Sequence, residues 1–81
     1  MEALDGNALA GELFDYFGAE MTTASGQCGH CGTRSVIAEL SVYAQAPGAV
    51  VRCRACGKVV MVLVSIRDSL RLDASRFQLT L

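Results

Sequence analysis

Cys28 and Cys31 stand two residues apart, as do Cys53 and Cys56, and each pair is followed by glycine: CGHCG at 28–32 and CRACG at 53–57. These are all four cysteines of the 81-residue chain. A CxxC turn lets two sulfurs bite one ion from a tight loop, and the glycine after it lets the main chain turn beneath the metal with its amides aimed at sulfur. Four thiolates complete a tetrahedron, the ligand set of a structural zinc site. The 21 residues from Gly32 to Arg52 leave room for two strands and a turn between the pairs. The expected metal ligands are therefore Cys28, Cys31, Cys53 and Cys56, with one Zn2+ per chain and iron as the less favoured occupant.

A disulfide framework would need an oxidising compartment. The start, MEALDGN, has acids where a secretory signal has basic residues and lacks a sustained apolar run, so the expected setting is cytoplasmic and reduced. A dithiol redox pair expects one CxxC at a helix start within a βαβ pattern, and neither feature is present.

Enzymatic chemistry needs titratable groups gathered in a pocket. His30 is the single histidine and lies inside the first CxxCG, too close to Cys28 and Cys31 to pair easily with a distant nucleophile. It is expected to face solvent or bond a nearby backbone group, with a role as alternative ligand less favoured. Four thiolates leave no open metal position for an activated water. Asp5, Glu12 and Asp15 read as a solvated polar face rather than a carboxylate site. The expectation is a protein that is not an enzyme.

At this length the chain is one domain, near the size below which an apolar core needs a staple. The metal would supply it, since structural zinc contributes on the order of 10 to 16 kcal/mol of apparent binding free energy. The formal net charge of -1 becomes -3 once four thiols give way to four thiolates and a divalent ion. Residues 1–33 carry five acids and no Lys or Arg; residues 34–81 carry all seven basic residues and three acids. Arg34, Arg52, Arg54 and Lys58 flank the cysteine loops, where positive charge offsets the net -2 of a tetrathiolate zinc centre. The longest wholly aliphatic run, Val59 to Val64, is too short to span a bilayer.

These residues need elements to hold them. Residues 4–18 have the pattern of one amphipathic helix, capped by Asp5, with Leu4 and Leu9 as a hydrophobic staple and Gly18 as the stop. Leu9, Leu13 and Phe17 share a face that should pack on the sheet, opposite Glu12 and Asp15. Residues 20–27 can run extended into the first cysteine loop, and Ser35 to Tyr43 alternates as one half-buried strand, with Val36, Ala38, Leu40 and Val42 to one side. Ala46-Pro47-Gly48-Ala49 suits a type II turn. Ala49 to Arg52 leads into the second loop, and Lys58 to Arg67 leaves it as the longest strand. The expected fold is α+β: a zinc ribbon, two CxxC knuckles on antiparallel β-hairpins, with an N-terminal amphipathic helix packed on the sheet. It forms a single domain over 1–81, with the helix in 1–19, the ribbon in 20–67, and a tail or edge strands in 68–81.

The combination LDGNALAGELFDYFGAEMT, CGHCG, AELSVYAQAPGAVVRCRAC and VVMVLV resembles a family of small bacterial proteins of unknown function. The resemblance covers roughly residues 4–66. It implies a zinc-ribbon fold with Cys28, Cys31, Cys53 and Cys56 as ligands and implies no activity.

Three binding roles remain. A nucleic-acid-binding ribbon would use Arg34, Arg52, Arg54 and Lys58 on phosphates and Tyr43 for stacking, but the acidic balance and the absence of Trp disfavour it. A rubredoxin-like iron carrier is suggested by the paired CxxCG loops, which lack the proline usual in rubredoxin knuckles. A zinc-stapled interaction module is favoured. Lys58 to Ile66 is apolar on both faces, with Val60, Val62, Val64 and Ile66 on one and Val59, Met61 and Leu63 on the other. A thin sheet with a single helix covers only one of them. The other face is expected to meet a second copy, as a homodimer, or another protein, unless the C-terminal tail folds over it.

Overall fold

Asp5 ends a short strand and caps the helical segment that follows. Its carboxylate accepts the Asn7 amide at 3.0 Å, satisfying one of the amides left free at a helix start. In the computed structural model, which describes residues 4–45 and 48–80, the strand is β1, Leu4–Asp5. A 3-10 turn then covers Gly6–Leu9 and leads into α1, Ala10–Phe17. Gly18 closes α1 by donating its amide to the Phe14 carbonyl at 2.7 Å. The expected helix is right in its cap and its end, but its first turn has tightened to 3-10 form, a frequent variant at helix starts.

Seven further strands complete the fold: β2 Ser25–Cys28, β3 Arg34–Val36, β4 Ser41–Gln45, β5 Gly48–Arg52, β6 Val59–Ile66, β7 Ser69–Asp73 and β8 Phe77–Thr80. All pairings are antiparallel. They make a five-stranded sheet ordered β1-β4-β5-β6-β7 and a three-stranded sheet ordered β3-β2-β8. The chain is thus a small α+β protein with one short helix and two antiparallel sheets among the described residues. Ala46 and Pro47 of the expected type II turn lie outside those residues. The tail supplies an edge strand to each sheet, β7 beside β6 and β8 beside β2, and its Phe77 is buried in the common core.

The single strand expected from Ser35 to Tyr43 is a correction. It breaks into β3, a 3-10 turn at Ile37–Glu39, and β4, so the chain crosses from the small sheet to the large one. Long-range contacts impose the break: Ile37 donates its amide to the Ala24 carbonyl at 3.0 Å and Ala38 to that of Thr22 at 2.8 Å. The Glu39 carboxylate accepts the Val36 amide at 3.1 Å. The turn also shifts the phase, so that Ile37 is buried together with Leu40, three residues on.

β6 carries the core. Its inward Met61 and Leu63 bury with Val42 and Val51 of the neighbouring strands and with Leu9 and Leu13 of the helical segment. Leu13 is fully buried and Phe17 only half-buried, while Phe14 faces solvent. Arg52 pairs with Val59 and Val51 with Met61, which leaves Val60 as an unpaired residue at a register shift. Val60 is buried there, so it does not share the exposed side with Val62, Val64 and Ile66 as strict alternation had it. No helix of the described residues is long and apolar enough to cross a membrane.

Candidate metal centre

Each cysteine pair follows a strand. β2 ends at Cys28, and β5 ends one residue before Cys53. Both loops close with the same two hydrogen bonds. The Cys28 amide donates to the Thr33 carbonyl and the Gly32 amide to the Cys28 carbonyl; the Cys53 amide donates to Lys58 and the Gly57 amide to Cys53, all at 2.9 Å. The turn requires a left-handed residue at its end, and Gly32 and Gly57 provide it, with φ of 79° and 75°.

The loops bring the four sulfurs together. All four Sγ atoms lie within 4.8 Å of one another, with Cys28 to Cys56 at 3.8 Å and Cys31 to Cys53 at 3.7 Å. A tetrahedron with metal–sulfur bonds of about 2.3 Å has sulfur–sulfur edges of about 3.8 Å. The separations are nearly twice a disulfide bond of about 2.05 Å, and all four cysteines are free. Four thiols at this spacing are close enough to hold a metal ion. Cys28 and Cys53 are buried, Cys56 half-buried and Cys31 exposed, so the cluster has one open side.

The thiols are unequal. The Thr33 hydroxyl, 3.2 Å from the Cys31 sulfur, and then the Thr33 amide stabilise the thiolate, and the Cys31 pKa falls from 9.0 to about 6. At Cys56 the Lys58 amide is the largest single influence and lowers the pKa, but desolvation and the thiols of Cys31, Cys28 and Cys53 outweigh it and carry the value up to about 11. Four sulfurs in contact cannot all ionise alone; a dication at their centre removes that conflict.

The surroundings brace the loops. The His30 amide donates to the Cys28 sulfur at 3.3 Å. The His30 ring turns away from the cluster, its Nε2 2.9 Å from the Val59 carbonyl oxygen at the start of β6, so it ties the first loop to the long strand. This is the backbone bond expected of it. Arg52 donates to the Gly57 carbonyl at 2.9 Å and lies over the Tyr43 ring, 5.7 Å from its centroid. Arg34 sits on the other sheet and reaches the Thr80 hydroxyl at 3.3 Å. Arg54 and Lys58 are exposed at the second loop. Three supports were not anticipated from sequence: Thr33 beside Cys31, Gln27 donating to the Gly32 carbonyl at 3.1 Å, and the Arg76 carbonyl accepting the Gly29 amide at 2.7 Å. Thr33 had a signal, a hydroxyl directly after CxxCG; the Arg76 contact had none, because pairing with β8 creates it. Among the acids, Asp5 caps the helical segment, and Glu12 and Asp15 are exposed.

The chain belongs to a family of unknown function (DUF6510), whose model matches residues 1–81. Neither the curated proteins nor the solved structures give a match.

Proposed function

We propose that this chain is a non-enzymatic interaction module of zinc-ribbon type, stapled by one Zn2+ on Cys28, Cys31, Cys53 and Cys56. The approach of all four Sγ atoms to within 4.8 Å carries the reading. Zinc would draw the two loops into one unit, and Arg52 and Lys58 would offset the negative charge of the tetrathiolate. A cytoplasmic setting suits four reduced thiols. With four protein sulfurs no position stays open for substrate or water, so the ion's task is structural.

The interaction role rests on the outer face of the five-stranded sheet. Val50, Val62 and Val64 are only half-buried there and Ile66 is 49% exposed, while β7 extends the edge of this sheet and β8 joins the other one. Elemental analysis should return one zinc and no iron per chain, and Cys53→Ser should lose the metal and loosen the fold. Near-native stability of that variant without metal would overturn the staple. Cross-linking in the native cell tests the face: Val64→Glu should keep zinc and the circular-dichroism spectrum but lose the cross-linked partners.

A further inference from the structure

Directly paired residues in antiparallel strands point to the same side, so the register fixes the rows of the outer face. Running along the strands, the rows are Arg52 with Val59; then Tyr43, Val50, Val62 and Asp73; then Gly48, Val64 and Arg71; then Ile66 with Ser69. This arrangement is close to its own complement. A two-fold axis lying in the interface plane, at right angles to the strands and between the second and third rows, lays each strand over its copy with the row order reversed. Val62 then meets the partner's Val64, Val59 meets the partner's Ile66, and Val50 meets the partner's Gly48, which leaves room for it. At the edge, Arg71 meets the partner's Asp73.

We infer that the chain forms a symmetric homodimer through this face, with β6 packed on β6 and a reciprocal Arg71–Asp73 pair on each side. The inference rests on the reading of the outer face as a docking surface and names what docks. Charge selects the occupant. Arg71 and Asp73 are both exposed, two residues apart on one strand, and opposite in sign. A second copy supplies the reversed pair by symmetry. Sliding the axis onto either row would set Arg71 over Arg71 or Asp73 over Asp73, so repulsion fixes the register. Beside Val59 the face opens into a groove of about 460 Å³ bounded by His30, Lys58 and Arg76, into which the exposed Ile66 of the second copy projects.

The size of the face sets the expected strength. Four strands at about 4.8 Å and four rows at about 6.8 Å cover roughly 500 Å² per copy. A dimer would bury on the order of 1,000 Å² in total, the lower end of specific interfaces, so dissociation on dilution is expected.

Sedimentation equilibrium of the zinc-loaded chain, from low to high micromolar concentration, tests this. The average mass should climb from 8.6 kDa toward twice that value. Arg71→Asp and Asp73→Arg should each weaken association at least tenfold, and Val64→Glu should abolish it. An equimolar mixture of the two charge-reversed variants should regain the dimer, because each then finds its complement in the other. Asp73 also accepts the Ser75 amide, so zinc content and circular dichroism are checked for every variant, and the mixture decides the matter even if Asp73→Arg loosens that turn. A monomer at the highest concentration, or a dimer indifferent to both reversals and their mixing, overturns the homodimer. The docking role itself falls only if Val64→Glu leaves the cross-linked partners unchanged, so the two failures are separate results.

Discussion

Gly32 and Gly57 are the same residue twice over: each follows the second cysteine of its pair, adopts a left-handed conformation, and donates its amide to the carbonyl of the first cysteine at 2.9 Å. The two loops are therefore local copies of one turn, built by one local sequence, CxxCG.

Alanine at either position should cost about 1 to 2 kcal/mol, the usual penalty for a side chain in the left-handed region. The cost at Gly57 is conformational alone, since a Cβ there would meet nothing within 4 Å. Gly11→Ala is the control: it is helical, its Cβ site is also open, and alanine should stabilise by about 0.4 to 1 kcal/mol. Urea denaturation of the three metal-loaded variants checks the signs, and equal effects at Gly11 and Gly57 would contradict the turn.

The helix makes a graded prediction. Leu13→Ala removes a fully buried side chain and should cost about 2 to 5 kcal/mol. Phe17→Ala should cost less than the roughly 3 to 5 kcal/mol of a fully buried ring, because Phe17 is only half-buried. Phe14, 54% exposed, should be replaceable by alanine within about 0.5 kcal/mol. Thermal melts that place Phe14→Ala below Leu13→Ala would show that the wrong face had been assigned to the core.

Acid should release the metal. The Cys31 pKa is lowered from 9.0 to about 6, so this thiol contributes stability that is complete above 9.0 and lost as pH falls through about 6. Cys56 runs the other way: raised to about 11, it contributes while neutral, below 9.0, and loses that contribution as pH rises toward 11. A bound dication requires all four thiolates, which overrides the bias at Cys56 and leaves protons as the competitor. Metal content after equilibration with a chelator should hold at neutral pH and fall as acid protonates the thiolates. Metal content unchanged by acid in the presence of the chelator would show that thiolates do not hold the ion.

Chemistry-bearing residues were readable where their signal is local. The four cysteines announce their cluster by spacing, Asp5 and Gly18 mark the limits of the helical segment by capping chemistry, and the aliphatic run at Val59 to Val64 announces the central strand. What escaped was set by distant partners. Nothing in the alternation of residues 35–43 reveals that Ala24 and Thr22 will take the amides of Ile37 and Ala38 and bend the chain there. Nor does the pattern of residues 59–64 show that one extra residue, Val60, falls between Val59 and Met61, the partners of Arg52 and Val51, and turns inward. The tail reads as edge strands or a loose tail; it forms two strands, and their division between two sheets depends on edges formed by residues up to 11 and about fifty positions earlier in the chain.

The pairing of β8 with β2 sets an order of events during synthesis. Cys28 lies opposite Phe77, 49 residues later, and Phe77 is among the most deeply buried side chains near the cluster. On a chain made from its N-terminus, all four thiols are translated before the strand that shelters the first of them. A metal ion captured before β8 docks would join the two loops early and shorten the search that the last strand must make to find β2. Metal supply while the chain folds would then govern how much of it reaches its native pairing, and a shortage would leave exposed thiols open to oxidation before β8 docks.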